Sequence, residues 1–402
     1  MSPAVHDVVV VGAGPAGLCL AGELGRRGID VVILERRGDA EPGTRAIGVH
    51  PPALAALEPS GATERILAAA ARIPRGIARS SGRTIGEVRF DRIGSRFPFV
   101  AAVPQAVTEA ALEATAPPPD RGSEVRGIAE VPGGAVLRVR ASGCGARDTE
   151  MRARIVVVAA GASGRSLVLP RLGLHARDYT DRYLMTDLPH APGQPEGTAV
   201  VTLDAAGVLE SFPLPRGGRR LVAWDGAGGG RDAGTGAHRA ERLRRAVAGR
   251  SGDAALAELV GTATAFGIRR SLLRRMRRGR LLAIGDAAHE VSPIGGQGMN
   301  LGLLDAATLA PALARWLRRD EGDSEAEREL ARWERDRLAS ARAAARLAGL
   351  NTALGRPRSP RAHAALCAAI GAAARGPGAR LAARAYTMGF DRGAGRGGRC
   401  AR

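Results

Sequence analysis

The sequence predicts an α/β fold: a parallel sheet wound with helices, interrupted by a second region of strands and closed by C-terminal helices. Three observations predict it. A continuous apolar run, Asp7–Val11, leads into a glycine turn, a helical stretch and a second strand that ends at Glu35. A second short apolar run, Leu281–Ile284, leads into another glycine-rich turn and another helical stretch. Between them lie segments that alternate apolar and polar residues, the period of half-buried strands.

The composition bounds what the chain can do. Its 402 residues are enough for two or three associated domains, and 45% hydrophobic content suits a folded soluble protein. No apolar run reaches 18 residues, so no spanning helix is expected. The first strand begins within a few residues of Met1, which leaves no room for a secretory signal. Cys19, Cys144, Cys367 and Cys400 form no CxxC pair. That argues against a disulfide framework or a metal site and for a cytoplasmic protein.

The net charge of +19 comes entirely from arginine, since all 59 basic residues are Arg and lysine is absent. A Schiff base on lysine is thereby excluded. Aromatic residues make up only 3% of the chain and do not interleave with the basic ones, so nucleic acid is not an expected partner. From Arg328 to the end there are sixteen arginines against four acids. They read as a solvated helix face, or as a peripheral contact with an anionic membrane.

The N-terminal pattern is a dinucleotide fingerprint in its required context of strand, turn, helix, strand and acid. In "GAGPAG", Gly12 makes the tight turn, Gly14 lets backbone approach a pyrophosphate, and Gly17 lets helix and strand pack closely. Pro15 and Ala16 complete the turn, and the helix N-terminus offers unpaired N–H groups to phosphates. Glu35, followed by Arg36, stands where a carboxylate accepts from ribose hydroxyls. An acid there suits an unphosphorylated ribose, as in FAD or NAD.

The second pattern, "GDAAHEVSPIGGQGMNLGLLDAATLA" (Gly285–Ala310), favours FAD. Asp286 at a strand end suits polyol hydroxyls, and Gly295–Gly298 brings backbone close to a flat ring. A helix from about Met299 points its positive end at that ring.

Together these motifs resemble the class A flavoprotein monooxygenases, the aromatic hydroxylases of the p-hydroxybenzoate hydroxylase and ubiquinone hydroxylase type. The resemblance rests on Gly12–Gly17 with Glu35, and on Gly285–Asp286, "AAH", Pro293, "GQGMN" and Asp305. Weaker matches at Thr44–Gly61 and Val103–Ala116 place Arg45 beside the flavin and Gln105 at the ribityl–adenosine region. The resemblance implies a Rossmann-like FAD-binding domain with an interleaved sheet for substrate and C-terminal helices. It also implies that Asp286 binds the ribityl chain and that Pro293 lines the reactive face. Gly296, Gly298, Met299 and Asn300 would then offer backbone at the pyrimidine edge. Arg45, Pro293 and His50 are the candidates nearest the chemistry. In that family NAD(P)H reduces the flavin, O₂ adds to give a C4a-hydroperoxide, and an OH passes to an activated ring. A phenolic or polyketide aromatic substrate is implied. One departure stands out: after the strand Ile155–Ala160 comes "GASGRS" (Gly161–Ser166), with Ser163 where the family carries an aspartate of an Asp-Gly pair. A non-oxygenating FAD reductase or oxidase is the alternative on the same scaffold.

The expected division is 1–75, 101–172 and 272–345 for FAD, 76–100 and 173–271 for the substrate sheet, and 346–402 for a basic helical region. Gly226–Gly236 reads as a surface loop, and 238–260 and 325–350 show helical spacing. His289 reads as a structural hydrogen-bonding group, while Tyr179, Tyr183 and Asp187 are candidates to orient a phenol.

Overall fold

The computed structural model describes residues 5–39, 46–142, 147–227, 234–319 and 323–391. Arg45 lies outside the described residues, as does most of the expected Gly226–Gly236 loop.

Four strands form the parallel centre of the first sheet, in the order Leu281–Ala283, Asp148–Val158, Val5–Val11, Val31–Glu35. Val8, Val9 and Val10 are wholly buried, as a strand covered on both faces must be. Gly134–Ala141 pairs antiparallel with the outer half of Asp148–Val158, and Ser123–Val131 pairs antiparallel with Gly134–Ala141 in turn. The helices Pro15–Gly25 and Gly298–Arg318 pack together: the Cys19 thiol lies 3.8 Å from the Leu303 carbonyl.

The second sheet has eight strands and is mixed. Its order is His289–Glu290, Thr264–Leu273, Leu174–Leu188, Arg219–Ala227, Gly207–Pro213, Thr198–Asp204, Arg75–Ser80, Arg83–Arg89. Every pair is antiparallel except Thr198–Asp204 with Arg75–Ser80. Its two faces are covered by different elements. Leu184, Leu209, Leu221 and Ala223 pack under the helix Gly236–Ser251. On the other face Tyr183, Val208 and Val222 cluster with Ile294, which comes from the turn just before the helix Gly298–Arg318.

The C-terminal helices Pro360–Ala373 and Pro377–Tyr386 lie against this sheet and that turn. His363 Nε2 is 2.8 Å from Ser80 Oγ, and Ile370 joins the Tyr183–Ile294 cluster. Gln297 donates to the Ala385 carbonyl at 3.0 Å, and Tyr386 donates to Asn351 Oδ1 at 2.9 Å. The arginines of this region therefore decorate helices that close the molecule. Among the described residues no helix is long and apolar enough to cross a membrane.

Candidate active site

The two glycine signatures, nearly 270 residues apart in sequence, converge at one point. A Cβ on Gly302 would sit 3.1 Å from Gly285 Cα and 3.2 Å from Ala16 Cβ. Only small residues allow the first helix, the Gly285 turn and the second helix to meet so closely. The fingerprint turn is equally tight, because a Cβ on Gly12 would lie 2.7 Å from Ala160 Cα and one on Gly17 2.0 Å from the Gly12 carbonyl oxygen.

Both helices begin without a side-chain cap. Gly14 precedes Pro15–Gly25 with open space around it, and Gln297, which precedes Gly298–Arg318, turns its amide away to Ala385. Uncapped helix ends leave N–H groups and a partial positive charge available to an anion or a polar ring edge. Asp286 is exposed within an otherwise buried turn, and its carboxylate faces the start of the second helix, 3.9 Å from the Cβ position of Gly298.

Glu35 is buried and already partly engaged. Oε2 accepts from the Ala13 N–H at 2.8 Å, and Oε1 accepts from the backbone and side chain of Arg37 at 2.9 and 3.0 Å. Burial alone would push its pKa up; these donors outweigh it and hold the carboxyl below its ordinary value. Glu35 thus pins the fingerprint turn while keeping one lone pair on Oε2 for a further donor. Arg36 points outward, 4.0 Å from Glu124. Gln105 opens the helix Gln105–Glu113, its Oε1 accepting from Ala46 N–H at 3.4 Å and its Nε2 donating to Glu109.

Pro293 and Gly296 are the exposed corners of a turn closed by the Gly296 N–H donating to the Pro293 carbonyl at 2.9 Å. Asn300 holds this turn in place. Its Nδ2 donates to the carbonyls of Gly48 and Gly296 at 2.8 and 3.0 Å, and its Oδ1 accepts from His50 N–H at 2.8 Å. His50 itself is buried against Gly296, and burial pushes its pKa down to about 4 despite nearby Tyr386 and Gly296 backbone. It is a neutral ring at pH 7.

Other candidates fall into two groups. Tyr183 and Tyr179 belong to the apolar cluster with Ile294, Tyr183 stacking on Phe266 at 5.6 Å. Asp187 instead makes a two-point ion pair with Arg220 at 2.6 and 2.7 Å, which occupies it away from a phenol. His289 is buried and bonded to Asp305, as a structural role requires.

Two arginines that no sequence pattern singled out stabilise the site. Arg165, from "GASGRS", donates to the Asp286 carbonyl at 2.7 Å and to Glu290 at 3.2 Å. Ser163 only closes its own turn, donating to the Ala160 carbonyl at 3.2 Å. Arg337 donates to Asp305 Oδ1 and Asp391 Oδ1, each at 2.7 Å, in full burial.

The sequence matches a family model described as "FAD binding domain" over residues 5–348. The chain belongs to this family. Its uncapped helix ends, close glycine turns and exposed Asp286 fit the pyrophosphate and ribityl chain of that cofactor. Among relatives of this FAD-binding chain, 6-methylpretetramide 4-monooxygenase of Streptomyces rimosus is 31% identical over 324 residues, 77% of this chain and 55% of the relative. Rifampicin monooxygenase of Streptomyces venezuelae is 32% identical over 322 residues, 77% of this chain and 64% of the relative. The chain thus spans a little over half to just under two thirds of these relatives. The crystal structure of p-nitrophenol 4-monooxygenase from Pseudomonas putida superposes with a TM-score of 0.82, covering 98% of this chain and 99% of that one. At 24% identity that likeness speaks for the fold.

Proposed function

We propose that the chain is an FAD-dependent monooxygenase that hydroxylates a phenolic or polyketide-type aromatic ring, with NAD(P)H and O₂ as co-substrates. The observation that carries this reading is the convergence of Ala16, Gly285 and Gly302. It joins a pyrophosphate-type turn to a ring-type turn whose Ile294 packs into the apolar face of the second sheet. The names of the relatives support it, each being a monooxygenase, of 6-methylpretetramide, of rifampicin and of anhydrotetracycline.

When bound, FAD would supply reduction by NAD(P)H and activation of O₂. The protein's own residues would do the rest. Gly12–Gly17 would receive the pyrophosphate on the first helix end, with Glu35 at a ribose, Arg36 and Gln105 along the adenosine and ribityl side, and Arg45 beside the flavin. Asp286 would accept from ribityl hydroxyls. Gly285 and Gly296 would keep backbone close, and the N–H groups of Gly298, Met299 and Asn300 would meet the pyrimidine edge. Pro293 would stand at the reactive face, where the apolar cluster excludes water and orients the ring. The same reading divides the chain into the interleaved FAD and substrate regions set out from the sequence.

Purified protein is expected to carry FAD and to oxidise NAD(P)H faster when a phenol is added. Bound flavin with no phenol-stimulated oxidation of either nicotinamide would overturn the proposal.

A further inference from the structure

Among the described residues, one face of the second sheet holds a buried carboxyl and a buried phenol hydroxyl with no hydrogen-bond partner at bonding distance. Glu210 is on the strand Gly207–Pro213, paired with Val201 on one side and Val222 on the other. Val201, Val222 and Val208, which shares its face two residues back, all belong to the cluster that contains Ile294 of the Pro293–Gly296 turn. Glu210 is 7% exposed, and among the described residues its carboxylate has no hydrogen bond or ion pair. Tyr183 lies on the same face, since its i+2 neighbour Met185 pairs with Val222. Its hydroxyl is fully buried beside Thr352, whose own hydroxyl donates to Ala348 at 2.9 Å, and finds no hydrogen-bond partner.

A buried carboxyl among valines is costly, and proteins rarely leave one without a partner. The buried Tyr183 hydroxyl, on the same face with one strand between, adds to that cost. An unpartnered carboxyl on the face whose valines pack with Ile294 of that turn is the arrangement that a ligand hydroxyl would complete.

Resting on the monooxygenase reading, we infer that Glu210 is the catalytic base that takes the phenolic proton of the substrate. The substrate O–H bond breaks, its proton passes to a Glu210 carboxylate oxygen, and the negative charge moves to the ring oxygen. The phenolate is more electron-rich at the carbons that receive oxygen, and the proton leaves to solvent after turnover.

The charged surroundings suit this role. Burial pushes the Glu210 carboxyl up to about 7, where a base is partly free at neutral pH and still strong enough to accept. The phenols of Tyr183 and Tyr386 feel its charge and are raised, chiefly by their own burial. The nearby acid Asp181 is neutralised by Arg356 at 2.7 and 2.9 Å. Asp187 on the same face is bound to Arg220. Glu210 is therefore the carboxyl of this face left for a substrate, among the described residues.

The test uses the full-length, FAD-loaded protein with two probes, 3-(3-hydroxyphenyl)propionate and the more acidic p-nitrophenol. For the first, wild-type kcat/KM for oxygenated product should fall below an apparent pKa of about 7. In Glu210→Gln that limb should vanish and the rate drop by about 100-fold. With p-nitrophenol, which ionises unaided at about pH 8, the loss should be no more than several-fold. Glu210→Asp should keep the limb. Flavin content and melting temperature of Glu210→Gln should equal or exceed wild type. Unchanged rates and pH profile in Glu210→Gln, or equal losses with both phenols, would overturn the assignment alone. A wild type that oxygenates neither phenol would overturn the proposed function and this assignment with it.

Discussion

Asp305 Oδ2 lies 2.5 Å from His289 Nε2 and 3.0 Å from the Gly285 backbone N–H, in a site where both side chains are buried. Burial favours a neutral His289, but Asp305 outweighs it and raises the ring's pKa. Burial likewise raises Asp305, and His289 with Arg337 overcomes that and holds the carboxyl below its ordinary value. The raised histidine contributes stability that is fully present below about pH 6.5 and is lost as pH climbs through its folded value. The lowered aspartate contributes above about pH 4 and is lost as pH falls through its own folded value. Both contributions are therefore present between those limits, and the histidine's declines on the alkaline side. His289→Gln should flatten the alkaline decline in melting temperature, and a variant that keeps the wild-type slope would contradict the pairing.

Removing Asp305 leaves Arg337 and His289 as buried charges with one fewer partner. Asp305→Ala is expected to cost about 3–5 kcal/mol in denaturant titration. It should also loosen the Gly285 turn and lower flavin content. A loss within the range of a surface substitution would show that the cluster is not structural.

Gly302→Leu should separate the two signatures, because even a methyl would meet Gly285 and Ala16 at 3.1 and 3.2 Å. Overpacking of that kind costs about 1–3 kcal/mol. The folded variant should bind FAD more weakly, as read by equilibrium dialysis. Wild-type affinity would mean the contact is not what aligns the turns.

Asp286→Ala removes an exposed carboxylate beside the start of the second helix. Its melting temperature without flavin should fall less than that of Asp305→Ala, while FAD affinity falls by about 10–100-fold, the range for losing one or two hydrogen bonds to a charged group. Arg165→Ala should lower both, since it frees the Asp286 carbonyl as well. Full flavin retention in Asp286→Ala would remove this residue from the cofactor site.

Glu210 carries the opposite sign to Asp305. Its carboxyl moves from an ordinary 4.5 up to about 7, so the fold resists its ionisation. The stability penalty appears as pH rises through that window, on the order of 3 kcal/mol at about 1.4 kcal/mol per unit. Glu210→Gln should melt higher than wild type at about pH 8 and alike at about pH 4. Equal melting at both would argue against a buried, ionisable carboxyl.

The sequence made some parts of the site plain and hid others for physical reasons. The fingerprint and Gly285–Asn300 were readable because close backbone approach demands glycine at fixed spacing, a local constraint. The strands Thr198–Asp204 and Arg83–Arg89 were readable from their alternation. Arg165 and Arg337 were not, since in a chain with 59 arginines a buried one has no local signature. Asn300 was expected to act through its backbone, and its side chain proves to clamp Gly48, His50 and Gly296, a long-range contact no spacing rule reports. Glu210 sits in an alternating strand at a position that faces the cluster, but only the sheet register reveals which face that is. The C-terminal helices looked basic and peripheral because their arginines dominate the composition, whereas their packing rests on Ile370, Ala383 and Tyr386.

The most direct test of the central claim is turnover of the FAD-loaded protein with NAD(P)H and a phenol under isotopically heavy O₂, with the product analysed by mass spectrometry. The account predicts one heavy oxygen atom in the hydroxylated product and the other in water. Product without the label, alongside consumption of NAD(P)H, would contradict it.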